Sequence, residues 1–173
     1  MFSLFKKSAP VFCDAALEDL SRMLTQEDER PTYRRELLQA ERLDFTLESL
    51  KHIDEYLEIV RQDEIPNEHM TPLVLRVGAY AGEVIRRNTT DIEFHWLDYK
   101  QGARRSSMVR SNGMCLELAA MLWSSDKDMC FPLAKVCKFI ENGPEDSLYF
   151  LATVLTTKRE IVAKQIEIKI SGT

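Results

Sequence analysis

No stretch of this sequence approaches the ~20 consecutive apolar residues of a membrane-crossing helix, so no membrane span is expected. The start, Met1-Phe-Ser-Leu-Phe-Lys-Lys7, has its charge after the apolar residues and no core of secretory length, so no secretion signal is expected. Cysteine is sparse and scattered: Cys13, Cys115, Cys130 and Cys137 form no C-x-x-C pair, and only three histidines accompany them. That argues against a structural zinc and against a disulfide framework, so no metal is assigned. Beside seven methionines the thiols read as reduced core residues, Cys130 and Cys137 sharing one helix face, and a cytoplasmic location is expected. A basic excess is missing as well. The formal net charge is −5, which excludes the electrostatic footprint of a nucleic-acid binder. Finally, there is no G-x-S-x-G, no P-loop and no dinucleotide-binding glycine pattern, and Ser106 and Ser107 lack the partners of a nucleophile. No catalytic residue and no cofactor is assigned, and the balance leans away from an enzyme.

What is present is ordinary globular composition, with 45% hydrophobic and 29% charged residues in 173. A chain of this length supports one core, so residues 1–173 are read as a single domain. Residues 1–13 form an N-terminal arm, for which a membrane-touching anchor and a strap packed on its own domain are weighed, the strap being favoured. Residues 164–173 form a C-terminal strand or tail. Charge is uneven. Residues 14–64 hold 15 acidic and 7 basic side chains, whereas residues 65–110 hold 5 and 7.

Hydrophobic spacing then sets the expected elements. Asp14 caps a helix carrying Leu17, Leu20 and Leu24, and a second helix is expected from Thr32 to Leu43. A third, capped by Asp44, carries Leu47, Leu50, Ile53, Leu57 and Val60. Thr71-Pro72 reads as the start of a buried helix to Arg87, in which Gly78 and Gly82 would let another backbone come close. Ile92, Phe94 and Trp96 alternate as a strand, with a turn at Gln101-Gly102 and a return from Arg104 to Arg110. Asn112-Gly113 reads as a hairpin turn, and residues 114–123 fit strand or helix, strand being preferred. Phe131-Pro132 opens a helix ended by Asn142-Gly143, Pro144-Glu145-Asp146 opens another, and residues 165–170 alternate as an edge strand. The fold class expected is α+β: a helix-rich domain with a small antiparallel meander between N-terminal and C-terminal helices.

Candidate sites follow from these placements. Tyr80, Glu83 and Trp96 surround the Gly78/Gly82 groove and would line a ligand pocket, though for Glu83 a buried anchor pairing with Arg86, Arg87 or an arginine of the meander is preferred. Glu48, Asp54, Glu55 and Glu58 place carboxylates on the third helix and would bind a basic partner. Glu48, His52 and Glu55 also have the spacing of an acid–base or metal set, against which a solvated face is preferred. Lys100, Arg104, Arg105 and Arg110 form a basic patch for a phosphate or an acidic segment, with solvated loop charges preferred.

The run Val77-Gly-Ala-Tyr-Ala-Gly-Glu-Val-Ile-Arg-Arg87, followed by Trp96, resembles a G-A-Y-x-G-E-x-I-R-R … W pattern of small bacterial cytoplasmic proteins. The segment 131–143 and the Glu-Asp-Ser-Leu after it are similar too. The resemblance implies a bacterial origin and no particular activity. The function expected is a non-enzymatic interaction module, immunity-like or adaptor-like, that binds a basic protein through the acidic first third. The alternatives are a small-molecule binder or enzyme at Glu83, Tyr80 and Trp96, and a homodimer paired through the strand from Gln165.

Overall fold

The computed structural model describes residues 11–26 and 29–157. Along the chain run α1 (Asp14–Arg22), α2 (Ser49–Val60), α3 (Asn67–Asn88) and β1 (Phe94–Asp98). Then come α4 (Tyr99–Arg105), α5 (Ser107–Asn112), β2 (Ala120–Ser124), β3 (Met129–Cys130), α6 (Pro132–Asn142) and α7, residues 148–157. The fold is α+β and rich in helix. Its sheet has the order β1-β2-β3, antiparallel throughout, with Trp96 opposite Leu122 and Leu122 opposite Cys130.

Helix α3 is the axis of the molecule. From Leu73 to Ile85 nearly every side chain is buried, which a helix sustains only when neighbours cover it all round. α1 and α6 supply most of that cover. The sheet adds the rest, because Phe94, Trp96, Ala120 and Leu122 point from one face into the core of α3. The other face carries Leu97 and Met121, which pack with Val109 of α5 and Leu118 in a smaller cluster. The strand period of two thus divides β1 and β2 between two apolar layers.

The free edge of β1 is covered from the N-terminal side. Cys13 N donates to the Trp96 carbonyl (3.0 Å), and Trp96 N donates to Asp14 Oδ1 (2.6 Å). Phe12 stacks on His95 at 4.0 Å between ring centroids. Residues 11–13 therefore lie on the domain itself. His95, on the face of β1 opposite Trp96, lies between Phe12 and Asp14.

Several local expectations are corrected. Residues 32–43 form two short 3-10 turns, Arg35–Leu37 and Ala40–Arg42, because Arg34 sits in the left-handed region (φ 51°) and interrupts any α-helix. Asp44 accepts from Thr46 and does not cap α2. α3 begins at Asn67, so Pro72 falls inside it and forfeits one bond near the end. The turn and return strand expected over 101–110 are the helices α4 and α5, each with a side-chain cap: Asp98 accepts from Gln101 N, and Ser106 from Val109 N. Asn112-Gly113 ends α5 and makes no hairpin. Of residues 114–123, Leu116–Leu118 is a 3-10 turn and Ala120 onward is strand, so the meander contains two helices between its first two strands. Residues 144–146 are a 3-10 turn before α7. The strand expected at 165–170 lies outside the described residues.

Candidate functional site

Of the three residues expected around the Gly78/Gly82 groove, two meet and one does not. Glu83 is 2% exposed, and its Oε1 accepts from Trp96 Nε1 (2.9 Å) and Arg86 Nη1 (2.7 Å). Arg87 Nε stands 3.6 Å from the other oxygen. Arg86 also donates to the Phe94 carbonyl (2.9 Å) and lies 3.6 Å from Asp14 Oδ2, which contacts His95 Nδ1 at 2.8 Å. Glu83 is thus the buried end of a charged chain that ties α3, β1 and α1 together. Tyr80 belongs elsewhere. Its hydroxyl donates to Ser49 Oγ (2.7 Å) and accepts from Phe45 N (3.1 Å), holding the start of α2 against α3, and burial pushes the phenol's pKa up.

The groove is filled by the protein. At Gly78 a Cβ would lie 3.0 Å from the Leu133 Cα, so α6 does bring its backbone close. At Gly82 the space is taken by the indole of Trp96, which is fully buried. Tyr80, Glu83 and Trp96 therefore enclose no cavity between them. A polar depression of about 660 Å³ lies on the outer side of Glu83, walled by Glu18, Arg22, Arg86, Arg87, Thr89 and Glu93. Its arginines are engaged with carboxylates, Arg22 with Glu18 at 2.6 Å and Arg87 with Glu18 at 3.5 Å.

On α2 the four carboxylates part company. Glu48 and Glu55 project into water, the first with Lys51 (2.5 Å) and the second with His52 (3.3 Å). Glu58 is half-buried and accepts from Arg61 (3.3 Å) and Gln62 (3.2 Å). Asp54 does not belong to this surface. Its Oδ2 accepts from Ser147 Oγ (2.6 Å) and its Oδ1 from Leu148 N (2.9 Å), so it caps α7 across the domain interior. Burial pushes the Asp54 carboxyl up, against the pull of these donors. Glu48 turns to Lys51 and Tyr149 and not to His52, so Glu48, His52 and Glu55 do not converge. Among the described residues no cluster of three or more His, Cys, Asp or Glu side chains could hold a metal. Beside Glu55 lies a small notch of about 110 Å³ whose apolar wall is Leu37, Leu38, Leu43, Tyr56 and Ile59 and whose polar wall includes Gln39, Arg42 and His52, and Ile59 is 49% exposed.

A third feature escaped the sequence reading. Cys115, Cys130 and Cys137, with Met108 and Met129, line one mainly apolar cleft of about 760 Å³ between α6, α7 and the turn before β2. Cys130 and Cys137, expected on one helix face, come instead from β3 and α6, and Cys115 comes from a distant segment. Burial pushes Cys130 and Cys137 up to about 12, Cys137 with help from Glu117 and Glu141, so these thiols stay protonated near neutrality.

Among the described residues no helix is long and apolar enough to cross a membrane. Compared with protein-family models, curated proteins and solved structures, the chain matches none of them.

Proposed function

We propose that this protein is a non-enzymatic interaction module that takes a basic protein segment on the outer face of α2. The observation that carries the reading is an apolar notch beside the exposed carboxylate of Glu55, with Gln39, Arg42 and His52 also on its wall. Glu55 and Ile59 are i,i+4 neighbours, Glu48 lies two turns before Glu55 on the same face, and the notch opens beside them. Partner surfaces commonly place a small apolar anchor site inside a polar rim, where the anchor supplies affinity and the rim supplies steering. The excess of acidic residues over 14–64 gives the rim its sign. A partner segment with one aliphatic or aromatic side chain flanked by lysine or arginine fits this arrangement. The motif resemblance implies a bacterial, cytoplasmic setting and no particular activity, so the immunity-like or adaptor-like role rests on this face alone.

The test is a peptide array in which a single Leu, Phe or Ile is flanked by two to four basic residues. Binders should lose affinity when Glu48→Lys and Glu55→Lys are combined, with a slower association rate, and separately when Ile59→Ser removes the anchor. Unchanged binding in both variants would remove this face from consideration. A second reading, a small-molecule-binding protein, has the depression outside Glu83 in its favour. Native mass spectrometry that retains an added mass of a few hundred daltons, lost in Arg87→Ala, would promote it.

A further inference from the structure

Between Asp98 and Glu117 the chain carries Lys100, Arg104, Arg105 and Arg110 and no acidic side chain, in a protein whose formal net charge is −5. Helices α4 and α5 turn this stretch into one outward surface. Each sends few residues inward: Gln101 and Gly102 of α4 and Val109 of α5 are buried. Lys100, Arg104 and Arg110 are exposed, and none of the three makes an ion pair among the described residues. Arg105 lies back over the ring of Trp123, 5.6 Å from its centroid, with Nη1 donating to the Gln101 carbonyl (2.9 Å).

The same stretch carries two exposed apolar side chains, Met108 at the mouth of the cysteine cleft and Met114 just after α5. Met108 is 46% exposed and Met114 78%. Phe12 lies 6.2 Å from Trp123, and Val11 before it is 68% exposed, so the chain joins the described structure beside this same face.

We propose that the α4–α5 surface is a peripheral docking site for an anionic lipid bilayer. Unpaired lysine and arginine are drawn to the negative surface potential of such a membrane, each adding its own increment near the headgroups. Exposed methionines in the same stretch of chain insert at the headgroup–acyl boundary and add the apolar contribution that lasting attachment requires alongside charge. An acidic polypeptide would use the cations but leave Met108 and Met114 in water, whereas a bilayer uses both. The surface is distinct from the acidic face of α2, so failure of one assignment leaves the other standing.

The experiment is vesicle flotation with the full chain, using phosphatidylcholine vesicles with and without phosphatidylserine, at low and high salt. The protein should float with the mixed vesicles only and be released as salt screens the cations. Replacing Lys100, Arg104 or Arg110 singly by Gln should weaken binding about fivefold each. The reversal Arg104→Glu with Arg110→Glu should abolish it. Met108→Gln with Met114→Gln should weaken binding and leave its salt dependence unchanged. Thermal melts of these exposed-site variants confirm that each is folded. Absence of flotation with mixed vesicles, equal flotation with neutral ones, or wild-type flotation of the double reversal overturns the proposal. Retention on polyglutamate or duplex DNA without vesicle binding also overturns it, and transfers the surface to an acidic polymer.

Discussion

The contact between Gly82 and Trp96 makes a demand that a single methyl group can test. A Cβ at Gly82 would fall on the six-membered ring of the indole, on Cζ2 and Cη2, and within 3.2 Å of Cε2. Carbon atoms in contact prefer about 3.5–4.0 Å, so the ring would have to shift by more than an ångström. It cannot do so freely. Trp96 is fully buried, its Nε1 is bonded to Glu83, and its backbone is bonded to Cys13 and Asp14. Alanine gains about 1 kcal/mol over glycine in a helix interior, while overpacking costs about 1–3 kcal/mol or more. Loss of the buried Trp96–Glu83 hydrogen bond adds about 1–3 kcal/mol. We expect Gly82→Ala to destabilise by about 2–4 kcal/mol on these terms. The distinguishing experiment is a double-mutant cycle with Trp96→Phe, because phenylalanine has no atoms at Cζ2 or Cη2. In that background Gly82→Ala should be neutral or stabilising by up to about 1 kcal/mol. Urea titrations followed by far-UV circular dichroism give the four free energies. A Gly82→Ala variant as stable as the wild type, or one whose cost persists in the Trp96→Phe background, would refute the reasoning.

Three further outcomes are expected. Asp54→Ala should cost about 1–3 kcal/mol by uncapping α7, whereas Glu48→Gln, on the same helix but exposed, should change the melting temperature little. The Asp146 carboxyl is held below the usual carboxylate range by hydrogen bonds from Lys135 and Asn142. As pH falls the unfolded chain binds that proton first, so the contribution is full above about pH 3.9 and is lost as pH drops through the lower folded value. Asp146→Asn should accordingly flatten the acid limb of a stability–pH curve. Iodoacetamide at neutral pH, read by mass spectrometry, should modify exposed Cys115 ahead of Cys13, Cys130 and Cys137, with Cys130 reacting only on unfolding.

Helices α1, α2, α3 and α6 were legible because each writes its buried stripe at helical spacing, and Gly143, at φ 91°, terminates α6 where a glycine was expected. The two glycines of α3 announced a close approach before its occupants were known. At Gly78 the neighbour is the backbone of α6, and at Gly82 it is an indole. Helices α4 and α5 were misread because Gln101-Gly102 outweighed two quieter signals, the caps at Asp98 and Ser106. Residues 32–43 were misread for the opposite reason. Tyr33, Leu37 and Leu38 do reach apolar surroundings, but tight turns deliver them as well as a helix would, and periodicity cannot separate the two. The bonds of Glu83 to Arg86 and Arg87 follow from helical spacing. Its bond to Trp96, the capping role of Asp54 and the gathering of three cysteines are made by tertiary contacts between distant segments, which no local pattern encodes.

The plug on the edge of β1 also sets a timetable for the newborn chain. Asp14 and Trp96 are 82 residues apart. At about 5–20 residues per second a ribosome takes roughly 4–16 s to make the strand that α1 is waiting for. For most of that interval Leu17 and Leu24 lack α3, which is complete only at Asn88, and for all of it they lack β1. α1 is therefore made well before the strand edge that secures it. A chaperone that holds apolar segments would meet α1 early, and release it only after β1 had cleared the exit tunnel.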